Sequence, residues 1–357
     1  MVQASPALAV NSKRASEDES LDLSEKSVYK KDMNLRLIDK DTVKATLAMP
    51  RAIELMRDGF IALSAGEVDS PLRTALVNDA GTVLYKPAYS DVAGIFCAKV
   101  VSVFSDNVNK NLPVTPGIII VNSAETGMPV ALVEAGYLTS LRTGAAIGLA
   151  TDLMAADDAK TAALFGTGGQ SAHQLEAMLC VRKFETIYVF SRNPENAVSF
   201  CSEQGALAKK VGCTLVANPD RSVIKQCDVI TLATSSPTAV VADHELPVNV
   251  HINAIGSLGP KRTEVASETM LRSYVCLDQR DACMAEAGEV CLMRDAGQLP
   301  ENFYPVELGE LAAGNYQSPK TGVRVFKSVG NAVQDLVCTA EILKIAEEKS
   351  LGAQASL

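Results

Sequence analysis

The sequence predicts an α/β protein in which a doubly wound parallel-sheet domain is inserted into an α+β domain. Three observations carry this. After residue 158 short apolar runs alternate with helical stretches, a rhythm that gives a parallel sheet covered on both faces. A glycine-rich turn, GTGGQS, joins one such run to a helix. Before and after that region the pattern changes to strands joined by tight turns and to a long helix near the end.

Composition agrees with a globular chain. Of 357 residues 47% are apolar and 21% charged, enough for a sizeable core. No apolar run is long enough to span a bilayer, so no membrane partner is expected. The formal charge of −9 excludes a nucleic-acid binder, since phosphate contacts need clustered Lys and Arg. Nine cysteines, odd in number and without a CxxC pair, fit a reducing, cytoplasmic setting rather than a disulfide framework. Only His173, His244 and His251 are present, and no Cys/His/Asp cluster accompanies them, so no metal site is expected.

Along the chain, residues 1–31 read as a polar, mixed-charge, disordered tail, too poor in bulky apolar residues to offset its ordering entropy. Residues 32–150 form the first part of the α+β domain. Here Asp41 is the expected cap of a helix beginning at Thr42 or Met49 and ending at Leu63. Strands are expected at Leu72–Val77, Thr82–Lys86, Ile95–Phe104 and Pro116–Val121, then an Ala- and Gly-rich helix over Leu138–Met154. Residues 151–320 are the parallel-sheet domain, with strands at Thr161–Phe165, Thr186–Phe190, Cys213–Val216, Asp228–Ala233, His251–Ile255 and Tyr274–Asp278. Loops follow from Phe303, and residues 321–357 return to the first domain through a helix at Asn331–Glu348.

The strand–GxGxxS–helix junction is the Rossmann dinucleotide fingerprint with serine at its last position. Gly166 permits the tight turn, Gly168 lets a pyrophosphate reach backbone N–H groups, and Ser171 keeps helix and strand close. The next strand ends in Ser191-Arg192-Asn193, where an NAD site usually carries an acid for the ribose 2′-OH. A guanidinium there suits a 2′-phosphate, so NADP(H) is favoured over NAD(H). In the first domain Arg73, Lys99 and Arg142 stand in apolar or strand-like surroundings, where a cation is costly unless it meets an anion. His173, in the first turn of the fingerprint helix, is expected to face solvent or adenine. Glu125, Glu134 and Glu264 have no evident partner in the sequence.

The runs AKVVSVFSDN, LTSLRTGAAIGLAT, FGTGGQSAHQLEAM, HINAIGSLGPKRTEV, ELGELAAG and VFKSVGNAVQDL resemble, in order, the ornithine cyclodeaminase/mu-crystallin family. The resemblance implies a substrate domain that dimerises through its sheet. It implies that Arg73, Lys99 and Arg142 bind the substrate carboxylate, with Val329 and Gly330 at its border and Lys99 as the proton-handling residue. For the cofactor it implies Arg142, Thr143 and Gly166, then Gly168, Gly169 and Gln170 at the pyrophosphate. Ser191, Arg192 and Asn196 would surround the ribose, and Thr234, Ile255 and Ser328 the nicotinamide. Cyclodeaminating members carry an Asp two residues after the glycine of INAxG, where this chain has Leu258. Leucine neither accepts a proton nor holds an ammonium, and it would offer substrate an apolar wall. The expected activity is therefore NAD(P)H-dependent reduction of a 2-imino acid, such as pyrroline- or piperideine-2-carboxylate, or the reverse dehydrogenation. The alternatives are ornithine or lysine cyclodeamination, and a non-enzymatic ligand-binding role like that of mu-crystallin.

Overall fold

Two sheets organise the chain. The computed structural model describes residues 34–257 and 259–356, so the expected tail at 1–31 lies outside the described residues. In chain order the first part contains β1 (Asn34–Ile38), α1 (Lys40–Thr46), α2 (Met49–Ser64), β2 (Thr74–Asn78), β3 (Gly81–Ser90), β4 (Ile95–Val103), β5 (Gly117–Ser123), β6 (Pro129–Glu134) and α3 (Ala135–Met154). The second contains β7 (Thr161–Phe165), α4 (Ser171–Val181), β8 (Thr186–Phe190), α5 (Pro194–Lys210), β9 (Thr214–Ala217), β10 (Val229–Leu232), β11 (Val250–Ala254), α6 (Ser267–Arg272) and β12 (Tyr274–Leu277). It continues through α7 (Arg280–Glu286), α8 (Gly288–Asp295), β13 (Val306–Glu307), α9 (Leu308–Ala312) and β14 (Val323–Lys327). The chain then returns through α10 (Ala332–Glu348) and β15 (Ala353–Ser356).

The second sheet has eight parallel strands in the order β13-β12-β14-β11-β10-β7-β8-β9. The direction of build reverses between β7 and β10, which opens a crevice at their carboxyl ends. Its central strands are buried on both faces, as Val229–Leu232 shows, because helices cover each side. The first sheet has seven strands, β15-β1-β6-β5-β4-β3-β2, antiparallel except where β1 meets β6.

Several boundaries differ from the sequence expectation. The domain limit at 320 falls one strand early, because Val323–Lys327 pairs with both β11 and β12 inside the parallel sheet. The early helix is two helices. Pro50 opens the second, where its missing N–H leaves nothing unpaired, and Asp39 rather than Asp41 caps the first through Thr42 N at 2.8 Å. β1, β6 and β15 lack strong alternation and were not legible as strands. Glu134 caps α3, accepting from Gly136 N at 2.6 Å and Tyr137 N at 3.0 Å.

The two faces of the first sheet are unlike. Inward lie Ala88, Cys97, Ile119 and Val133, all buried, together with Lys86 and Lys99. Outward, the register aligns Leu76, Tyr85, Phe96, Val100, Ile118 and Leu132 on one apolar face. Leu76 is 59%, Ile118 46% and Phe96 43% exposed, an uncovered patch of the kind that marks an interaction surface.

Candidate active site

The crevice of the parallel sheet and the inner face of the first sheet bound one cavity of about 1250 Å³. Its nucleotide end is made by the turns that follow β7, β8, β10 and β11. Gly166 has φ +106°, and a Cβ there would lie 2.3 Å from the Ala233 carbonyl oxygen, so only glycine lets β7 turn beside β10. Gly168 and Gly169 face open space. Behind them α4 presents its free N–H groups, and the Gln170 Oε1 and Ser171 Oγ atoms are buried without a partner. A dinucleotide pyrophosphate fits this cradle. Ser191, Arg192 and Asn196 line the cavity at the end of β8, and no carboxylate stands among them. Arg192 is exposed and makes no ion pair among the described residues. Asn218 and Arg221 also line this end and were not singled out in the sequence. The Asn218 amide oxygen accepts from Ser191 N at 2.9 Å while its buried Nδ2 lacks a partner. Arg221 is held by Glu245 at 2.7 Å. Both follow β9, a short and weakly patterned strand, so nothing in the sequence flagged them.

At the other end, four cations converge: Arg73 from the segment before β2, Lys86 from β3, Lys99 from β4 and Arg142 from α3. Lys99 and Arg142 share Asp335 of α10. Lys99 Nζ lies 2.7 Å from that carboxylate with both side chains fully buried, and Arg142 Nε lies 3.3 Å from it. Thr139 adds a contact to Lys99 at 3.2 Å, and Gln334 accepts from Arg142 Nη1 at 2.6 Å. Burial and the Arg142 charge pull Lys99 down to about 8, with Asp335 opposing, so Lys99 remains an ammonium at neutral pH. Asp335 itself would be raised by burial, but Lys99, Arg142 and Lys86 hold it below the ordinary carboxylate range. Arg73 pairs with Glu286 at the end of α7 and donates to the Val329 carbonyl at 3.2 Å.

Between the two ends runs the loop Ser328–Gly330. The buried Asp278 carboxylate fixes it, accepting from Ser328 Oγ at 2.7 Å, Val329 N at 3.0 Å and Gly330 N at 2.7 Å. Thr143, Thr234 and Ile255 also line the cavity here. Leu258 lies outside the described residues, but its neighbours are pinned. Glu264 accepts from Thr234 N, Gly256 N and Ser257 N at 2.7, 2.6 and 3.0 Å, so this acid has partners the sequence did not reveal. The buried Lys327–Glu289 pair braces the same loop: Lys327 donates to Ser257 O at 3.1 Å, and Glu289 accepts from Glu264 N at 2.9 Å. His173 does not line the cavity. It packs edge-on against Tyr137 at 4.8 Å, and burial pushes it down to about 4.

Every sequence-derived site residue other than Leu258 thus meets on one cavity. Lys86, Asp335 and Glu286 were not singled out, although Asp335 stands within the quoted run VFKSVGNAVQDL. No group of three or more His, Cys, Asp or Glu able to hold a metal occurs among the described residues. No described helix is long and apolar enough to cross a membrane.

A Rossmann-type crevice opening onto a buried cation cluster is the arrangement of a dinucleotide-dependent enzyme of small carboxylates. The chain belongs to the ornithine cyclodeaminase/mu-crystallin family, whose model matches residues 33–350. A Delta(1)-pyrroline-2-carboxylate reductase from Bacillus cereus is 31% identical over 296 residues, 81% of this chain and 90% of its own. Among solved structures, the Thermococcus litoralis Delta(1)-pyrroline-2-carboxylate reductase in complex with NADH and L-proline is 31% identical, with TM-score 0.84, covering 89% of this chain and 99% of that one. An archaeal alanine dehydrogenase dimer with bound NAD is 26% identical, with TM-score 0.84 and coverage of 90% and 99%.

Proposed function

We propose that the protein reduces a 2-imino acid, a cyclic ketimine such as Δ1-pyrroline-2-carboxylate, to the amino acid, and catalyses the reverse dehydrogenation. The observation that carries this is the junction of a carboxylate-sized cation cluster with a dinucleotide crevice in one cavity. The names of the two pyrroline-2-carboxylate reductase relatives support it. Gly166, Gly168, Gly169, Gln170 and Ser191 would hold a nicotinamide dinucleotide, which would supply the hydride when bound. Arg142 and Lys99, held as cations beside Asp335, anchor the substrate carboxylate, and Arg73 closes the opposite side. That pairing gives Lys99 an anchoring role rather than the proton transfer expected from the sequence. Thr234, Ile255 and Ser328 line the cavity where they would border the nicotinamide, and Val329 and Gly330 where they would border the substrate.

Purified protein supplied with NADPH is expected to consume it on addition of Δ1-pyrroline-2-carboxylate or Δ1-piperideine-2-carboxylate. Release of ammonia from L-ornithine or L-lysine with NAD+, without ketimine reduction, would establish the cyclodeaminase alternative instead.

We infer a preference for NADP(H), because Arg192, exposed and without an ion pair among the described residues, stands where an NAD site has its acid. The related structures with NADH and NAD make this a point for direct test. Arg192→Ala is expected to raise KM for NADPH by roughly 10–100-fold, the loss of a charge-assisted contact, and to leave that for NADH nearly unchanged. Equal effects on both cofactors would overturn the preference.

The apolar outer face of the first sheet supports a homodimer, formed face to face by two copies of the Leu76–Phe96–Ile118 patch. Ile118→Asp is expected to halve the mass measured by light scattering, and an unchanged mass would place the interface elsewhere. Nine unbridged cysteines, most of them buried, support a reducing cytoplasmic setting.

A further inference from the structure

We propose that Lys86 is a further catalytic residue, the group that gives a proton to the substrate nitrogen in reduction and takes it back in dehydrogenation. The proposal rests on the imino-acid reading above and assigns its proton. Lys86 and Lys99 are direct cross-strand partners on the inner face of the first sheet. Two ammonium groups so placed repel each other, and the pair is tolerated only if one of them gives up its charge or meets an anion. The structure separates the two. Lys99 has the Asp335 carboxylate and Thr139. Lys86, only 6% exposed, makes no ion pair among the described residues and donates to one backbone carbonyl, Gly330 O, at 2.9 Å.

Burial, the largest influence, and then the charges of Lys99, Arg142 and Arg73 push the Lys86 ammonium well below the ordinary lysine range, with Asp335 opposing. Glu286 is taken up by Arg73. A lysine in that state gives up its proton far more readily than an ordinary lysine, whereas Lys99 keeps the Asp335 carboxylate beside its charge.

Its location fits the task. Gly330 borders the cavity with φ +79°, and a Cβ on it would lie 3.0 Å from Arg142 Nη1 and 3.5 Å from Lys86 Nζ. Lys86 Nζ and the Arg142 guanidinium that anchors the carboxylate therefore both approach Gly330 at the border of the cavity. In reduction the N–H bond of the Lys86 ammonium breaks and a new N–H bond forms at the imine nitrogen, giving the iminium. The carbon then gains the hydride supplied by reduced nicotinamide, and the electron pair of the C=N π bond becomes the nitrogen lone pair. Lys86, left neutral, recovers a proton from water.

The experiment is a pair of pH profiles with a binding measurement. For the wild type, kcat/KM for ketimine reduction falls as pH rises through the Lys86 pKa, and that for amino-acid oxidation rises through the same value. Lys86→Met is expected to lower kcat by about 10²–10⁴-fold and to erase that limb in both directions. Lys86→Gln, of similar size with a polar end, gives the same result if packing is not the cause. Calorimetry in two buffers of unlike ionisation enthalpy reads proton exchange on binding of the product amino acid, which the wild type shows and both variants lose. A raised KM with kcat and pH profile intact would make Lys86 a carboxylate holder and overturn the proposal. Failure of the wild type to reduce any 2-imino acid would sink the functional reading, and the buffer-dependent heats would still decide whether Lys86 exchanges the proton.

Discussion

Replacing Asp335 by Asn is expected to lower stability by about 3–5 kcal/mol and to abolish turnover. The substitution changes almost no volume, but it leaves Lys99 and Arg142 buried without their carboxylate. Chemical denaturation would read the loss. The pH dependence follows from the directions of the shifts. Asp335 is held below its unfolded value, so its contribution is complete above about pH 4 and disappears as pH falls through the folded pKa. Lys99 is depressed to about 8, so the folded state binds fewer protons than the unfolded chain between that value and the unfolded lysine value, and stability rises across that window. In Asp335→Asn the missing countercharge matters less once the lysines are neutral, so its deficit should narrow at alkaline pH. A variant as stable as the parent at pH 7 would show that the cation cluster does not need its carboxylate.

Gly166→Ala is expected to weaken dinucleotide binding by on the order of 100-fold. The positive φ disfavours any L side chain, and the new Cβ has no room beside the Ala233 carbonyl. Either β7 shifts relative to β10 or the turn opens, and both displace the pyrophosphate cradle. Fluorescence titration with NADPH and with NADH checks it. Affinity within threefold of the parent would mean that the cofactor does not lie over this turn.

These two residues differ in how far the sequence disclosed them. Gly166 was legible because its environment is local: a strand, a glycine turn and a helix follow one another between Thr161 and Val181. The parallel strands were legible for a related reason. Burial on both faces produces continuous apolar runs such as Thr161–Phe165, which end at turns. Asp335 was not legible, since its partners Lys99 and Arg142 lie 236 and 193 positions away. A single Asp near the start of an amphipathic helix looks like any N-terminal helix acid. Lys86 escaped for a different reason: LYKPAYS holds a lysine of the kind that surfaces an ordinary hairpin. Only the register, which sets it opposite Lys99 on the inner face, gives it meaning. β1, β6 and β15 are defined by whom they pair with rather than by their own pattern. The strand Val323–Lys327 was absorbed into the return segment because it follows a loop-rich stretch with no marker of the sheet it rejoins.

The pairing of β1 with β15 also orders events during synthesis. The parallel-sheet region, from β7 to β14, is contiguous in sequence and can close upon itself while the rest of the chain is still being made. The first sheet can pair six of its strands by residue 134, but β15, the second neighbour of β1, and the helix bearing Asp335 come only near the end of the chain. Until then Lys86 and Lys99 stand on an unfinished sheet without their carboxylate, and β1 offers an open edge to other chains. The segments that complete the substrate pocket are therefore made last, after the nucleotide fold. Shortening the chain ahead of β15 should yield material that aggregates, while the central region keeps its helical signal.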